Sequence, residues 1–201
     1  MMSNQRTSHA KTMPARSDPM PPCIAITSRQ HAAQYAIQTG ATAMIKVGDT
    51  IPNTKFVRAT PEGPQQVEAK DFFAGKTVAL FSVPGAFTPT CSARHLPGFV
   101  EKADALKAKG VDEIACTAVN DAFVMAAWGK GANADAITML ADGNADFAEA
   151  VGLTMDGSGF GMGKRGQRFA MVVKDGVVDK LFVEEPGDFK VSSADYMLDQ
   201  L

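Results

Sequence analysis

Cysteine is scarce in this sequence. Three occur, Cys23, Cys91 and Cys116, too few and too far apart for a disulfide framework or a structural zinc site. None has a second cysteine three residues away, which argues against the Cys-x-x-Cys chemistry of a general disulfide oxidoreductase. No apolar run approaches the roughly 20 residues that a helix needs to cross a bilayer. The formal net charge is only −2 and the pI about 5.9, so there is no basic excess to argue for nucleic-acid binding. Internal repeats, a phosphate-binding P-loop and a Rossmann fingerprint are all missing. What these absences leave is a chain of 201 residues, 45% apolar, long enough for one domain with a real core plus an extension. Sparse thiols suit a reducing compartment, and the expected location is cytoplasmic.

Residues 1–43 differ from the rest. They carry four basic residues against Asp18 alone, are rich in Ser, Thr and Gln, and crowd Pro14, Pro19, Pro21 and Pro22 together. Such a segment buries little and is expected to be disordered. Three readings stay open. It is an organellar transit segment, which would place the protein in an organellar matrix, or a regulatory tail, or an upstream extension with Met44 as the working start. The last is preferred, because a sustained amphipathic arginine face is missing. Cys23 lies in this segment and is expected to have no catalytic role.

From Met44 to Leu201 the pattern tightens. Lys55–Arg58 alternates like a short strand, and a turn at Pro61–Pro64 returns it through Gln66–Glu68 as a hairpin. Asp71–Gly75 reads as one helical turn. Thr77–Val83 is a nearly continuous apolar strand, expected to be central and covered on both faces. A long helix is expected from Cys91 to about Lys109, kinked or split by Pro97 near His95 and ended by Gly110. Asp112–Val119 and Ala136–Leu140 read as strands, with helices from Asp121 to about Gly129 and from Asp146 to Val151. Lys174-Asp175-Gly176 is a hairpin turn between Phe169–Val173 and Val177–Val183. A last helix, capped by Ser192 or Ser193, runs to Leu201. A hairpin, then alternating strands and helices, then a second hairpin and a helix make a three-layer α/β order with a mixed central sheet.

One stretch carries chemistry. Val83-Pro84-Gly85-Ala86-Phe87-Thr88-Pro89-Thr90-Cys91-Ser92 joins the central strand to the long helix and sets a thiol where that helix begins. The first N–H groups of a helix have no partners, and the dipole there favours negative charge, which pushes a thiol toward the reactive thiolate. Pro84 and Pro89 stiffen the turn and Gly85 supplies permissive backbone. Thr88 offers a hydroxyl three residues before Cys91. A lone cysteine at such a junction is more often a small buried hydrophobe than a nucleophile. The Pro84-x-x-x-Thr88-x-x-Cys91 spacing changes that balance. It resembles the active-site signature of the peroxiredoxins, and its continuation His95-Leu96-Pro97-Gly98-Phe99 resembles their type II, or Prx5-like, branch.

The resemblance covers about residues 44–201 and implies a thioredoxin-like fold with an N-terminal hairpin extension. It also implies a thiol peroxidase that reduces hydrogen peroxide and organic hydroperoxides without metal, haem or flavin. Cys91 would be the nucleophile, Thr88 would set its hydroxyl against thiolate and peroxide, and Pro84 would shield the thiolate, with Gly85 and Phe87 as pocket walls. In Gly163–Val173 the family's distant arginine matches Arg168, with Arg165 a weaker choice; from the residues alone both belong to a solvated basic turn. His95 invites a Cys–His dyad, four residues after the thiol, but is expected to pack structurally near Pro97. Met155, Met162 and the glycines from Gly157 to Gly163 are expected to form a mobile loop bordering the site.

Something must return the oxidised thiol. Pro186–Ser193, where two-cysteine relatives place a resolving cysteine, has none. Cys116 is the only partner in the body, and it reads equally as a core residue on a buried strand. The branch resemblance implies glutathione with glutaredoxin, or thioredoxin, as reductant, and a homodimer. A reading from another class is a redox sensor that passes oxidation from Cys91 to a partner protein.

Overall fold

A computed structural model describes residues 42–201, and the expectation for the first 41 residues lies outside them. The body opens where the apolar pattern begins: the Ile45 N–H donates to Val151 O (2.9 Å) and the Gly48 N–H to Val178 O (2.8 Å). Lys55–Thr60 (β1) and Gly63–Glu68 (β2) pair as the first hairpin, with Phe56 opposite Val67. Ala69–Phe73 (α1) follows, then Thr77–Ser82 (β3). After the thiol-bearing turn come a wide π-helical turn at Cys91–His95, Leu96–Glu101 (α2) and Ala103–Ala108 (α3). Next are Glu113–Ala118 (β4), Ala122–Gly131 (α4), Thr138–Ala141 (β5) and Asp146–Ala150 (α5). Thr154–Asp156 (β6) and Lys164–Gly166 (β7) form a separate small ribbon. Phe169–Lys174 (β8), Val177–Val183 (β9) and Ala194–Gln200 (α6) complete the fold.

Seven strands make one mixed sheet in the order β2-β1-β5-β4-β3-β8-β9. β3, β4 and β5 run parallel, as helical crossovers require; the outer pairs are antiparallel. The period of two in β3 sorts its side chains between two cores. Ala79 and Phe81 face Leu96, Phe99, Leu106, Trp128 and Met197, from the helices on one side. Val78 and Leu80 face Phe72, Phe73 and Phe147, from α1 and α5 on the other. The central strand is therefore covered on both faces, as its continuous apolar run predicts. Among the described residues no helix is long and apolar enough to cross a membrane.

Several local expectations are met by their stated physics. Asp175 and Gly176 both have positive φ (48° and 75°), as a two-residue hairpin turn of this hand requires. The Asp121 carboxylate accepts the Val124 N–H at the start of α4, and the Ser193 hydroxyl accepts the Tyr196 N–H at the start of α6.

One expectation is extended and one is corrected. The long helix after Cys91 is split near His95, as Pro97 predicts, and is broken once more further on. Pro97 has no N–H to give the Ala93 carbonyl and its ring crowds that carbonyl, so the helix widens before it: the Leu96 N–H reaches back five residues to Cys91 O. A second break, at Lys102 (φ −94°, ψ 7°), has no proline or glycine to announce it. The stretch from Met155 through Gly163, read as loop throughout, begins in β6 and is closed by β7, with Asp156 paired to Lys164 and a 3₁₀ turn at Ser158–Phe160 between them.

Phe81 stacks on Phe99 with ring centroids 4.0 Å apart and 5° between planes, and lies 4.9 Å from the His95 ring. Phe81→Ala is expected to cost about 3–5 kcal/mol, measured by urea unfolding. A cost below about 1 kcal/mol would contradict its place at the centre of this core.

Candidate active site

Sheet pairing builds the site. Ser82, the last residue of β3, lies opposite Phe169, the first of β8. The chain leaves β3 through Val83 and Pro84 toward Cys91, and it enters β8 from Arg168. Antiparallel register thus delivers the arginine to the thiol, although they are 77 residues apart in sequence.

The turn before the thiol is held from several sides. The Gly85 carbonyl accepts the Thr88 hydroxyl at 2.8 Å and the Thr88 N–H at 3.4 Å. Thr88 O in turn accepts the Ser92 N–H (3.0 Å), so the helix begins at Pro89 and the Cys91 N–H precedes its first internal bond. The Ala86 N–H donates to Asn120 Oδ1 (2.9 Å), just beyond β4. Gly85 has ordinary negative φ; the left-handed residue of the turn is Phe87, at φ 62°. Glycine eases the packing at 85 instead, since a Cβ there would sit 3.2 Å from Thr88 Cγ2, tight enough to push the threonine methyl aside. Phe87 is 60% exposed, whereas Pro84 is half-buried.

Cys91 is fully buried, and Arg168 Nη2 donates to its sulfur at 3.4 Å. Arg168 Nη1 lies 2.9 Å from His95 Nδ1, and His95 Nε2 lies 3.0 Å from the Ser192 carbonyl. These partners settle the tautomer. Guanidinium can only donate and a carbonyl can only accept, so Nδ1 carries the lone pair and Nε2 the proton. Burial, and then the Arg168 charge, lower the His95 pKa to about 3. A neutral imidazole committed at both nitrogens is no general base for Cys91; it is the acceptor that orients Arg168. Next to the thiol in sequence, the Ser92 hydroxyl accepts the Trp128 indole N–H (3.0 Å).

Arg165 does different work. It donates to Val119 O (2.6 Å) and Met162 O (2.9 Å), fastening the β6–β7 loop to the end of β4. Cys116 is fully buried on β4, in the same core as Cys91. Burial, and secondarily the Cys91 charge, push its thiol well above the ordinary range. Both described cysteines are free thiols. Asn120, Phe189 and Glu184 escaped the sequence reading, and Ser192, read there only as a candidate helix cap, instead presents its carbonyl to His95. The Phe189 ring lies under the guanidinium groups of Arg94 (4.8 Å) and Arg168 (5.7 Å), a contact that no local spacing announces.

A family model described as Redoxin matches residues 46–198. Peroxiredoxin-2E-2, chloroplastic, of Oryza sativa subsp. japonica is 48% identical over 166 residues, 79% of this chain and 73% of the relative. The chain belongs to the peroxiredoxins. The hybrid peroxiredoxin hyPrx5 of Haemophilus influenzae is 45% identical over 157 residues, 77% of this chain and 65% of that protein. The crystal structure of reduced Prx3 from Vibrio vulnificus in complex with hydrogen peroxide is 55% identical, with a TM-score of 0.76 over 78% of this chain and 99% of that one. These likenesses bear out the thioredoxin-like fold and the Prx5-like branch. This peroxiredoxin is accordingly a thiol peroxidase.

The state of His95 can be read from stability. Unfolded, it takes a proton near pH 6.5; folded, it resists until about 3. Its contribution is therefore complete above pH 6.5 and drains as pH falls toward 3, by up to ~1.4 kcal/mol per pH unit. Between pH 6.5 and 5 the protein is expected to lose about 2 kcal/mol relative to His95→Gln, by urea unfolding. Burial raises the Asp142 pKa to about 6, which acts in the opposite sense as pH falls through that value. It does so in both proteins, so their difference isolates His95. Parallel stability curves would refute a neutral His95.

Proposed function

We propose that this peroxiredoxin reduces hydrogen peroxide and small organic hydroperoxides through a sulfenic acid at Cys91. The sulfur attacks the terminal oxygen of R–O–OH; an S–O bond forms, the O–O bond breaks, and the departing oxygen leaves as alcohol or water once it has taken a proton. The observation that carries this reading is the contact at 3.4 Å between the half-buried Arg168 and the buried Cys91 sulfur. A fixed cation beside the sulfur is complementary to the thiolate and to charge gathering on the departing oxygen. Thr88 complements it. Its proton is committed to Gly85 O, so its oxygen lone pairs are left to accept the peroxide O–H and align the molecule. Pro84 and the turn behind it exclude water. The peroxide-bound Vibrio vulnificus relative supports hydrogen peroxide as a substrate.

Recycling is assigned to an external thiol: glutathione with glutaredoxin, or thioredoxin. Two observations support this. Pro186–Ser193 contains no cysteine, and Cys116 is buried with its thiol held in the unreactive protonated form. A homodimer is the assembly that best accounts for Phe87 and Phe160, which are 60% and 80% exposed in loops. For the compartment, the two chloroplastic plant relatives favour reading residues 1–43 as an organellar segment over the cytoplasmic assignment.

Peroxide consumption with glutathione and glutaredoxin is expected to vanish in Cys91→Ser and to persist, slowed at most several-fold, in Cys116→Ser. Arg168→Lys is expected to lower the rate about 100-fold. Full turnover by Cys91→Ser would overturn the assignment. After one equivalent of peroxide, mass spectrometry is expected to show one added oxygen, or a glutathione adduct, at Cys91. A Cys91–Cys116 disulfide would instead establish internal resolution. A stable mixed disulfide with one protein and feeble turnover would favour a redox relay.

A further inference from the structure

We infer that Glu184 is a positioning residue for peroxide reduction, acting on Arg168 through Ser192 and His95; this rests on Cys91 as the peroxidatic thiol. Glu184 is only 8% exposed, and one of its carboxylate oxygens takes three donors: the Lys190 N–H (2.7 Å), the Ser192 N–H (2.8 Å) and the Ser192 hydroxyl (2.8 Å). These bonds fix the segment after β9 so that the Ser192 carbonyl faces the His95 N–H at 3.0 Å. His95 in turn accepts from Arg168, and Arg168 donates to Cys91. The chain of contacts closes on itself, because the Glu184 N–H donates to Arg168 O (3.0 Å). Arg168 is thereby gripped twice, by its backbone and by its side chain, and both grips lead to Glu184.

The chemistry favours a carboxylate at this point. A buried carboxylate holding several N–H and O–H donors is an anchor that a neutral side chain of the same shape reproduces only in part. Losing it frees Ser192, removes the carbonyl that fixes the His95 tautomer, and leaves the arginine fork without its acceptor. Phe189, between the two ends of this loop, lies 4.9 Å from the His95 ring and 5.7 Å from the Arg168 guanidinium, so a released loop also uncovers the cation. The role is distinct from catalysis, since Glu184 touches neither sulfur nor peroxide.

The test uses the full-length reduced protein without any reductant. Trp128, the only tryptophan and bonded to Ser92, reports Cys91 oxidation by its fluorescence in stopped flow with hydrogen peroxide. A second readout needs no peroxide: the rate of Cys91 alkylation by iodoacetamide against pH, located by mass spectrometry. Glu184→Ala is expected to slow oxidation about tenfold and to move the alkylation midpoint upward, and Glu184→Gln, which keeps an accepting oxygen but not the charge, to restore part of both. In an Arg168→Lys background Glu184→Ala is expected to cost less than about twofold more, because the grip has nothing left to hold. Folded Glu184→Ala with unchanged oxidation and alkylation overturns the inference, as does an undiminished loss in the Arg168→Lys background. If Glu184→Ala does not fold, Ser192→Ala carries the test, with oxidation expected to slow about two- to fivefold; no slowing overturns it. Peroxide consumption retained by Cys91→Ser would defeat the parent reading, whereas the alkylation profile tests the Glu184 coupling alone.

Discussion

The Arg168 guanidinium against the Cys91 sulfur is the contact on which the rest of the site depends. An arginine side chain has high rotamer entropy, which opposes holding it in one geometry in a half-buried pocket. It stays there because three constraints act on it together. Antiparallel pairing of β3 with β8 fixes its backbone, the His95 lone pair fixes one arm of the fork, and the Phe189 ring covers its face. Each constraint comes from a different part of the chain, so the site forms only when the whole fold has closed.

His95 shows how burial can reassign a residue. Beside a thiol, on the same face of a helix, histidine suggests a base. Sealed from solvent and facing a permanent cation, it stays neutral until about pH 3, and its value lies in being a neutral acceptor of defined tautomer. The same burial separates the two described thiols. Cys91 meets an arginine, while Cys116, one strand over and inside the apolar layer, meets no cation and is driven toward the inert protonated form.

The helix that carries Cys91 is shaped by Pro97. In a regular α-helix the Ala93 carbonyl would face a ring and a missing N–H. The widened turn from Cys91 to His95 relieves the conflict and sets the spacing between the thiol and the imidazole. Asn120 and Arg165, which tie the turn at Ala86 and the loop after β6 to the end of β4, keep the opposite wall in place.

Much of this was legible in the residues themselves. Continuous apolar character predicted β3 as central, Asp175-Gly176 predicted its hairpin, Asp121 and the pair Ser192 and Ser193 predicted helix starts, and the turn from Pro84 predicted a thiol at the start of a helix. These are local matters of side-chain period, backbone freedom and capping, which neighbours in sequence decide. The break at Lys102, the β6–β7 ribbon, the tautomer of His95 and the grip of Glu184 and Ser192 on Arg168 had no such signal. Nothing near Arg168 in sequence distinguishes it from Arg165, since both sit in one short basic turn; it was the family resemblance that favoured Arg168. What separates them physically is that Arg168 immediately precedes β8, whose register places it opposite the end of β3, while Arg165, inside β7, turns to Val119 and Met162. The sequence by itself determined which thiol is presented at a helix start. Only tertiary structure decided which cation meets it, because that choice is made by hydrogen-bonded strand register between segments far apart in the chain.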